Sequence, residues 1–161
     1  MLEHVHRSIR PEGEVDDRLE SALDKLRLPI HDLEDSCDAF SEWSDGALYV
    51  SQLTGAPFTK GVAGIFKIVN GQPQPFQGGF KTVIDFTFGP DGSMYVLEHA
   101  SSDTFFGGPG RLTRVAPNGT RTLITEALNR PTSVLVGDDG AIYVSNNGVS
   151  VGTGEVLRIQ P

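Results

Sequence analysis

Glu98 and His99 stand next to each other in the middle of this 161-residue chain, directly after the apolar stretch Met94–Leu97. A carboxylate and an imidazole can bind a metal ion or act as general base and acid. Neighbouring residues of an extended strand point to opposite faces, however, so the two side chains are not expected to reach one site. The favoured role is packing within the fold, and ligand binding is the alternative.

Three long glycine-containing segments span residues 52–63, 98–109 and 146–153, and phenylalanines occur in the first two of them. Phe105 and Phe106 lie in the second segment, and Asn146 and Asn147 begin the third. Exposed aromatic residues in loops suit a flat ligand or a partner surface. The alternative, which is favoured, is that the phenylalanines form small clusters beneath their own loops.

Asp85 interrupts the apolar stretch VIDFTF at residues 83–88. Its carboxylate could face a water-filled channel and contact a ligand there, or bind the backbone of a neighbouring repeat unit, which is the favoured role. The sequence shows no recognisable nucleophile–base–acid set, no phosphate-binding loop and no dinucleotide fingerprint. We therefore expect no catalytic residues, no metal site and no cofactor.

Charge is distributed unevenly along the chain. The 13 basic and 21 acidic residues give a net charge of −8, which argues against a nucleic-acid or anionic-membrane partner. Residues 1–45 carry 13 acidic and 5 basic side chains, whereas residues 46–161 carry 8 of each. The single cysteine, Cys37, excludes an internal disulfide. We therefore distinguish an acidic N-terminal segment, 1–36, from the remainder, 37–161.

The N-terminal segment carries one helical pattern. Apolar residues recur at helical spacing (Val15, Leu19, Ala22, Leu23, Leu26) and predict a helix over about residues 13–27. The charged start of the chain lacks the apolar region of a signal peptide, so the chain as given carries no export signal, which would make it cytoplasmic as given, and the sequence leaves its true compartment open.

A repeat of 46–48 residues organises the rest of the chain. Three Asp-Gly turns precede similar strands, GALYV at 46–50, GSMYV at 92–96 and GAIYV at 140–144. Asn-Gly turns at 70–71 and 118–119 lie between them. These dipeptides between alternating apolar residues predict hairpins, with positive φ at Gly92 and Gly140. Tyr49, Tyr95 and Tyr143 should then occupy equivalent positions on successive sheets.

Four antiparallel strands in roughly 45 residues are typical of a β-propeller blade. The innermost strands would be residues 83–88 and 131–136, with Cys37–Trp43 as a degenerate first one. The prediction is an all-β fold: a partial β-propeller of about two and a half four-stranded antiparallel blades over 37–161, preceded by the short α-helical N-terminal segment. A plain β-meander or sandwich is the alternative, but neither requires this period.

A closed ring usually needs at least four blades, so an open stack would leave sheet edges and faces uncovered. Three explanations stay open. The chain forms a homo-oligomer that completes the ring, the N-terminal helix covers an open face, or the sequence is a truncated gene product.

The strings LYVSQLTGAPF, VIDFTFGPDGSMYVLEHASS and RPTSVLVGDDGAIYVSNNGVSVGTGEVLRI resemble the C-terminal part of ScyD/ScyE-type propeller proteins. More distantly, the DG-x-hydrophobic-YV pattern is similar to NHL, virginiamycin B lyase-like and gluconolactonase-like propellers. The resemblance implies a bacterial or cyanobacterial protein linked to the secondary metabolism of the pigment scytonemin. Members of that family are usually exported.

The resemblance does not carry a catalytic site onto this chain. Gluconolactonase-like proteins place Asn or Asp ligands where this chain has Thr132 and, one repeat earlier, Ile84. No motif transfers the histidine and glutamate of the lyases onto His99 or Glu98. The favoured function is therefore a non-enzymatic module that binds a small molecule or a protein. A lyase- or lactonase-like enzyme completed by oligomerisation, and an inactive truncated remnant, are the alternatives.

Overall fold

The structure is a computed structural model that describes residues 37–42, 46–102, 107–149 and 151–160, the first of these ranges by its backbone alone. The helix predicted over residues 13–27 lies outside these ranges. Within them, no helix is long and apolar enough to span a bilayer.

The described residues form three antiparallel sheets. The first blade contains β1 (Cys37–Glu42), β2 (Leu48–Gln52), β3 (Ala63–Val69) and β4 (Gln72–Phe80). The second blade contains β5 (Val83–Phe88), β6 (Met94–Glu98), β7 (Gly110–Val115) and β8 (Arg121–Leu128). The third blade contains β9 (Ser133–Val136), β10 (Ile142–Asn146) and β11 (Glu155–Ile159). The described part of the chain is thus all-β, with two four-stranded blades and a three-stranded third.

Turn chemistry explains the hairpins. Gly92 and Gly140 have φ values of 84° and 75°, which confirms the positive φ predicted for both Asp-Gly turns. Tyr49, Tyr95 and Tyr143 are each the second residue of the second strand of a blade, as the repeat predicts. The 46–48-residue period therefore corresponds to one sheet.

Replacing Gly92 or Gly140 by alanine should lower the free energy of unfolding by about 1 kcal/mol, because an L side chain is strained at positive φ. The midpoint of urea unfolding measures the effect. Gly78→Ala is the control, since Gly78 has no positive φ and its added methyl group would meet open space. Unchanged midpoints in both turn variants would contradict the turn assignment.

Each described Asp-Gly turn is tied to the third strand of its own blade. The Asp91 carboxylate accepts hydrogen bonds from the Ser93 N–H at 3.0 Å and the Ser93 hydroxyl at 2.9 Å. It also pairs with Arg114 of β7 at 2.6 Å. Asp139 repeats the arrangement with Arg158 of β11 at 2.8 Å. In both the second and the third blade, these bonds fix the Asp-Gly turn against its sheet.

The Asp91 bonds predict acid sensitivity. The Ser93 N–H, followed by Arg114, lowers the pKa of Asp91 from 3.8 to about 2. Since the folded pKa lies below the unfolded one, this stabilisation is complete above about pH 4 and is lost as the pH falls toward 2. The side chain is half-exposed, so the effect should be modest. The urea midpoint of Asp91→Asn should fall less steeply over this range than that of the unmodified chain, and parallel curves would contradict the assignment.

The blades stack through two apolar clusters. The inner strand β5 packs against both β1 and β9, which places the three first strands side by side. The cluster between the first and second blades includes Ile65, Val83 and Val96. The cluster between the second and third includes Leu112 and Ile142. The second blade is therefore buried on both faces.

Candidate functional site

Glu98 and His99 lie at the junctions between blades. Glu98 ends β6, and its Oε1 accepts a hydrogen bond of 2.8 Å from the N–H of Lys81, which links the first blade to the second. The buried His99 donates its own N–H to the carbonyl oxygen of Thr82, also at 2.8 Å. Its ring Nδ1 lies 2.8 Å from the carbonyl oxygen of Pro131, which precedes β9. The two side chains thus bind different connecting segments.

Burial lowers the pKa of His99, and the hydrogen bond to Pro131 opposes this shift only in part. A carbonyl oxygen can only accept, so the neutral ring carries its proton on Nδ1. The pKa of His99 is lower in the folded chain than in the unfolded chain, so the unfolded chain binds a proton first as the pH falls. The contribution of neutral His99 to the free energy of unfolding should therefore be fully present above about pH 6.5 and decrease below it.

His99→Asn should remove this pH dependence, because asparagine does not titrate and stands at the equivalent position, 147, of the third blade. Urea midpoints at about pH 7.5 and pH 5.5 measure the difference. The unmodified chain should lose stability over that interval, and the variant should lose less. An equal loss in both chains would show that another group causes it.

Asp85 joins the inner strands of the second and third blades. Its Oδ2 accepts hydrogen bonds from the Ser133 hydroxyl and the Val134 N–H, both at 2.8 Å. Its Oδ1 accepts from the N–H of Phe86 at 2.9 Å. The carboxylate therefore bonds the backbone of the next blade, which is the structural alternative that its place in the sequence suggested.

Asn146 repeats the role of Glu98. Its Oδ1 accepts a hydrogen bond of 2.8 Å from the N–H of Asn129, and its Nδ2 donates to Glu155 at 2.7 Å. Asn146 lies 48 residues after Glu98, and Asn129 lies 48 residues after Lys81. We call this shared interaction the connector bond: the last residue of a second strand accepts from the backbone that enters the blade.

Asn147 binds the same connecting segment, since its N–H donates to the Asn129 carbonyl oxygen at 2.8 Å. Phe105 and Phe106 lie outside the described residues, so a role in binding stays a prediction for them. No cluster of three or more histidine, cysteine, aspartate or glutamate side chains suited to a metal ion occurs among the described side chains.

A cleft of about 210 Å³ lies between the first and second blades. Its lining contains four basic side chains and one carboxylate: Lys60, Lys81, Arg111, Arg121 and Glu98. Phe80, Ala100 and Thr113 are buried residues of the same lining. We call this site the cationic cleft.

Neighbouring groups hold the basic side chains of the cationic cleft in place. Arg121 donates to the Gly78 carbonyl oxygen and to Gln77 Oε1, and its guanidinium lies 4.4 Å from the centre of the Phe80 ring. Lys81 is only 6% exposed, and its Nζ donates to the Ser101 carbonyl oxygen at 3.0 Å.

Arg111 contributes a second guanidinium to the cationic cleft. One of its terminal nitrogens pairs with Glu126 at 3.3 Å. Its Nε is buried and has no hydrogen-bond partner in the described part of the chain. Arg111 therefore lines the cationic cleft with one carboxylate partner, Glu126.

The sequence did not reveal the cationic cleft, because its basic residues come from four separate segments. Residues 46–161 carry equal numbers of acidic and basic side chains, so composition gives no sign of a local excess. Glu98 lies opposite Arg111 across β6 and β7, and this pair would have been a signal of the cleft. It can be identified, however, only once the register of the two strands is known.

No protein-family model matches the sequence, and no curated protein matches it. Solved structures with a similar arrangement include a putative gluconolactonase, at 16% identity and a TM-score of 0.45, covering 74% of this chain and 48% of that one. Another is virginiamycin B lyase from Staphylococcus aureus, at 19% identity and a TM-score of 0.48, covering 83% and 43%.

A streptogramin B lyase matches at 17% identity and a TM-score of 0.47, covering 83% of this chain and 43% of its own. The chain thus spans less than half the length of each of these proteins. Membership of the ScyD/ScyE family stays a prediction.

Proposed function

We propose that the chain is a non-enzymatic binding module of propeller type. The observation that carries the proposal is that Asp85, Glu98 and His99 all bond main-chain groups at blade junctions. A general base must reach the proton of its substrate, whereas the observed bonds give each of these three groups a structural role at a blade junction. The cationic cleft is the binding site in this proposal, and the ScyD/ScyE resemblance supports a ligand from scytonemin-type metabolism.

Turnover assays test the proposal against the enzymatic alternatives. The purified chain is incubated with aldonolactones or cyclic depsipeptides, with Mg²⁺ or Ca²⁺ added, and products are followed by mass spectrometry. We expect no product above the level given by a Glu98→Gln, His99→Asn double variant. Turnover that the double variant loses would overturn the proposal in favour of an enzyme.

We also propose self-association, because the third blade exposes apolar side chains. Leu135 and Val156 are 60% and 71% exposed. In the second blade, Leu112 stands at the position equivalent to Val156, and the third blade covers it completely. A second copy of the chain would cover the corresponding face of the third blade.

Light scattering during size-exclusion chromatography tests the self-association. The unmodified chain should elute as an oligomer, and Leu135→Lys with Val156→Lys should reduce it to a monomer. Leu123→Lys is the control, because Leu123 is exposed on β8 and outside this face. A monomeric unmodified chain at high concentration would contradict this second proposal.

A further inference from the structure

We infer that the cationic cleft binds a small oxyanion, a carboxylate or a phosphate. The inference rests on the proposed binding function and names the class of ligand for that site.

The first argument is charge. Four of the eight basic residues in positions 46–161 line the cationic cleft. Arg114 and Arg158, which lie outside the cleft, form ion pairs with Asp91 and Asp139, and Arg111 in the cleft pairs with Glu126. The one carboxylate in the lining, Glu98, already accepts a main-chain N–H through Oε1. The lining therefore carries an excess of positive charge on a chain with a net charge of −8.

The second argument concerns the partners of these basic side chains. Arg121 donates to neutral oxygen atoms, and no carboxylate of the described residues lies within 4 Å of it or of Lys60. Arg111, by comparison, has one carboxylate partner, Glu126. A planar guanidinium matches the two oxygen atoms of a carboxylate or phosphate, and such charge-assisted bonds are strong.

The third argument is preorganisation. Arg121 is fixed by the Gly78 carbonyl oxygen and the Phe80 ring, and Lys81 is held by Ser101. Long basic side chains normally lose conformational entropy when they bind a ligand. Here the fold has already restricted two of them, so less entropy remains to be lost on binding.

Size and surroundings define the ligand further. A cleft of about 210 Å³ is smaller than the roughly 300–1,000 Å³ of common ligand pockets, so it suits a short organic acid or a phosphate group. Buried Phe80 and Ala100 add apolar surface beside the charges. The overall negative charge of the chain would repel a polyanion such as nucleic acid.

Titration calorimetry with inorganic phosphate and, separately, succinate tests the inference, at low and constant ionic strength. We expect saturable binding of one or both, and the pattern tells which oxyanion the site prefers. Arg111→Gln and Arg121→Gln should each weaken binding about tenfold or more, and Arg121→Lys should weaken it less. Arg158→Gln is the matched control, since its guanidinium lies outside the cationic cleft and should leave binding unchanged. Circular dichroism verifies that each variant is folded.

Two results would overturn the inference: no saturable binding of either anion, or equal weakening by Arg158→Gln and the cleft variants. In the first case a neutral or cationic ligand that stabilises the chain would leave the proposed binding function intact. Failure of the proposed function itself is seen separately, as turnover in the lactone and depsipeptide assays.

Discussion

Leu112→Ala is expected to lower the free energy of unfolding by about 2–5 kcal/mol, the range typical of a leucine removed from a closely packed interior. Leu112 is fully buried in the cluster that joins the second and third blades. The truncation removes apolar contacts and leaves a cavity between two sheets that cannot close without moving relative to each other.

Urea unfolding followed by circular dichroism measures the loss. Leu123→Ala is the matched control, because Leu123 lies one strand away on β8 with half of its surface exposed. The control should lose less than about 1 kcal/mol. Equal losses in the two variants would contradict the packing of the third blade onto the second.

Gly110→Ala should destabilise the chain by about 1–3 kcal/mol, because the added methyl group has no room. Its Cβ would lie 2.4 Å from Cδ and 2.6 Å from Cγ of Pro131, and 3.0 Å from the Glu98 carbonyl oxygen. The proline ring is rigid, so the third blade would have to shift away from the second.

Gly154 provides an internal control for this substitution. It precedes β11 as Gly110 begins β7, but a Cβ there would meet nothing within 4 Å. Gly154→Ala should therefore leave the urea midpoint nearly unchanged, whereas Gly110→Ala should lower it. A similar small effect at both positions would show that the contact with Pro131 is not limiting.

Local patterns made the fold predictable. Asp-Gly turns need positive φ, and the strands beside them alternate in hydrophobicity, so residues 83–88 and 92–96 could be assigned without knowledge of distant contacts. The same holds for the strand at Cys37–Glu42, which the repeat located despite its degenerate sequence. The period then identified one sheet per repeat.

Long-range contacts limited prediction of the site. The sequence singled out Glu98, His99 and Asp85 for their chemistry, but their bonds depend on which backbone groups the neighbouring blade presents. The cationic cleft joins residues as distant as Lys60 and Arg121. The Asp139–Arg158 pair left a detectable signal, since a basic residue recurs near the end of each third strand.

The connector bond has a consequence for how such chains diverge. It requires only an oxygen acceptor at the end of the second strand, and Glu98 and Asn146 serve equally. The side chain at this position can therefore change its charge without loss of the connector bond. Because each joint involves only adjoining sheets, tandem duplication or deletion of one 48-residue unit leaves the other joints intact, and propeller genes can change length in whole units.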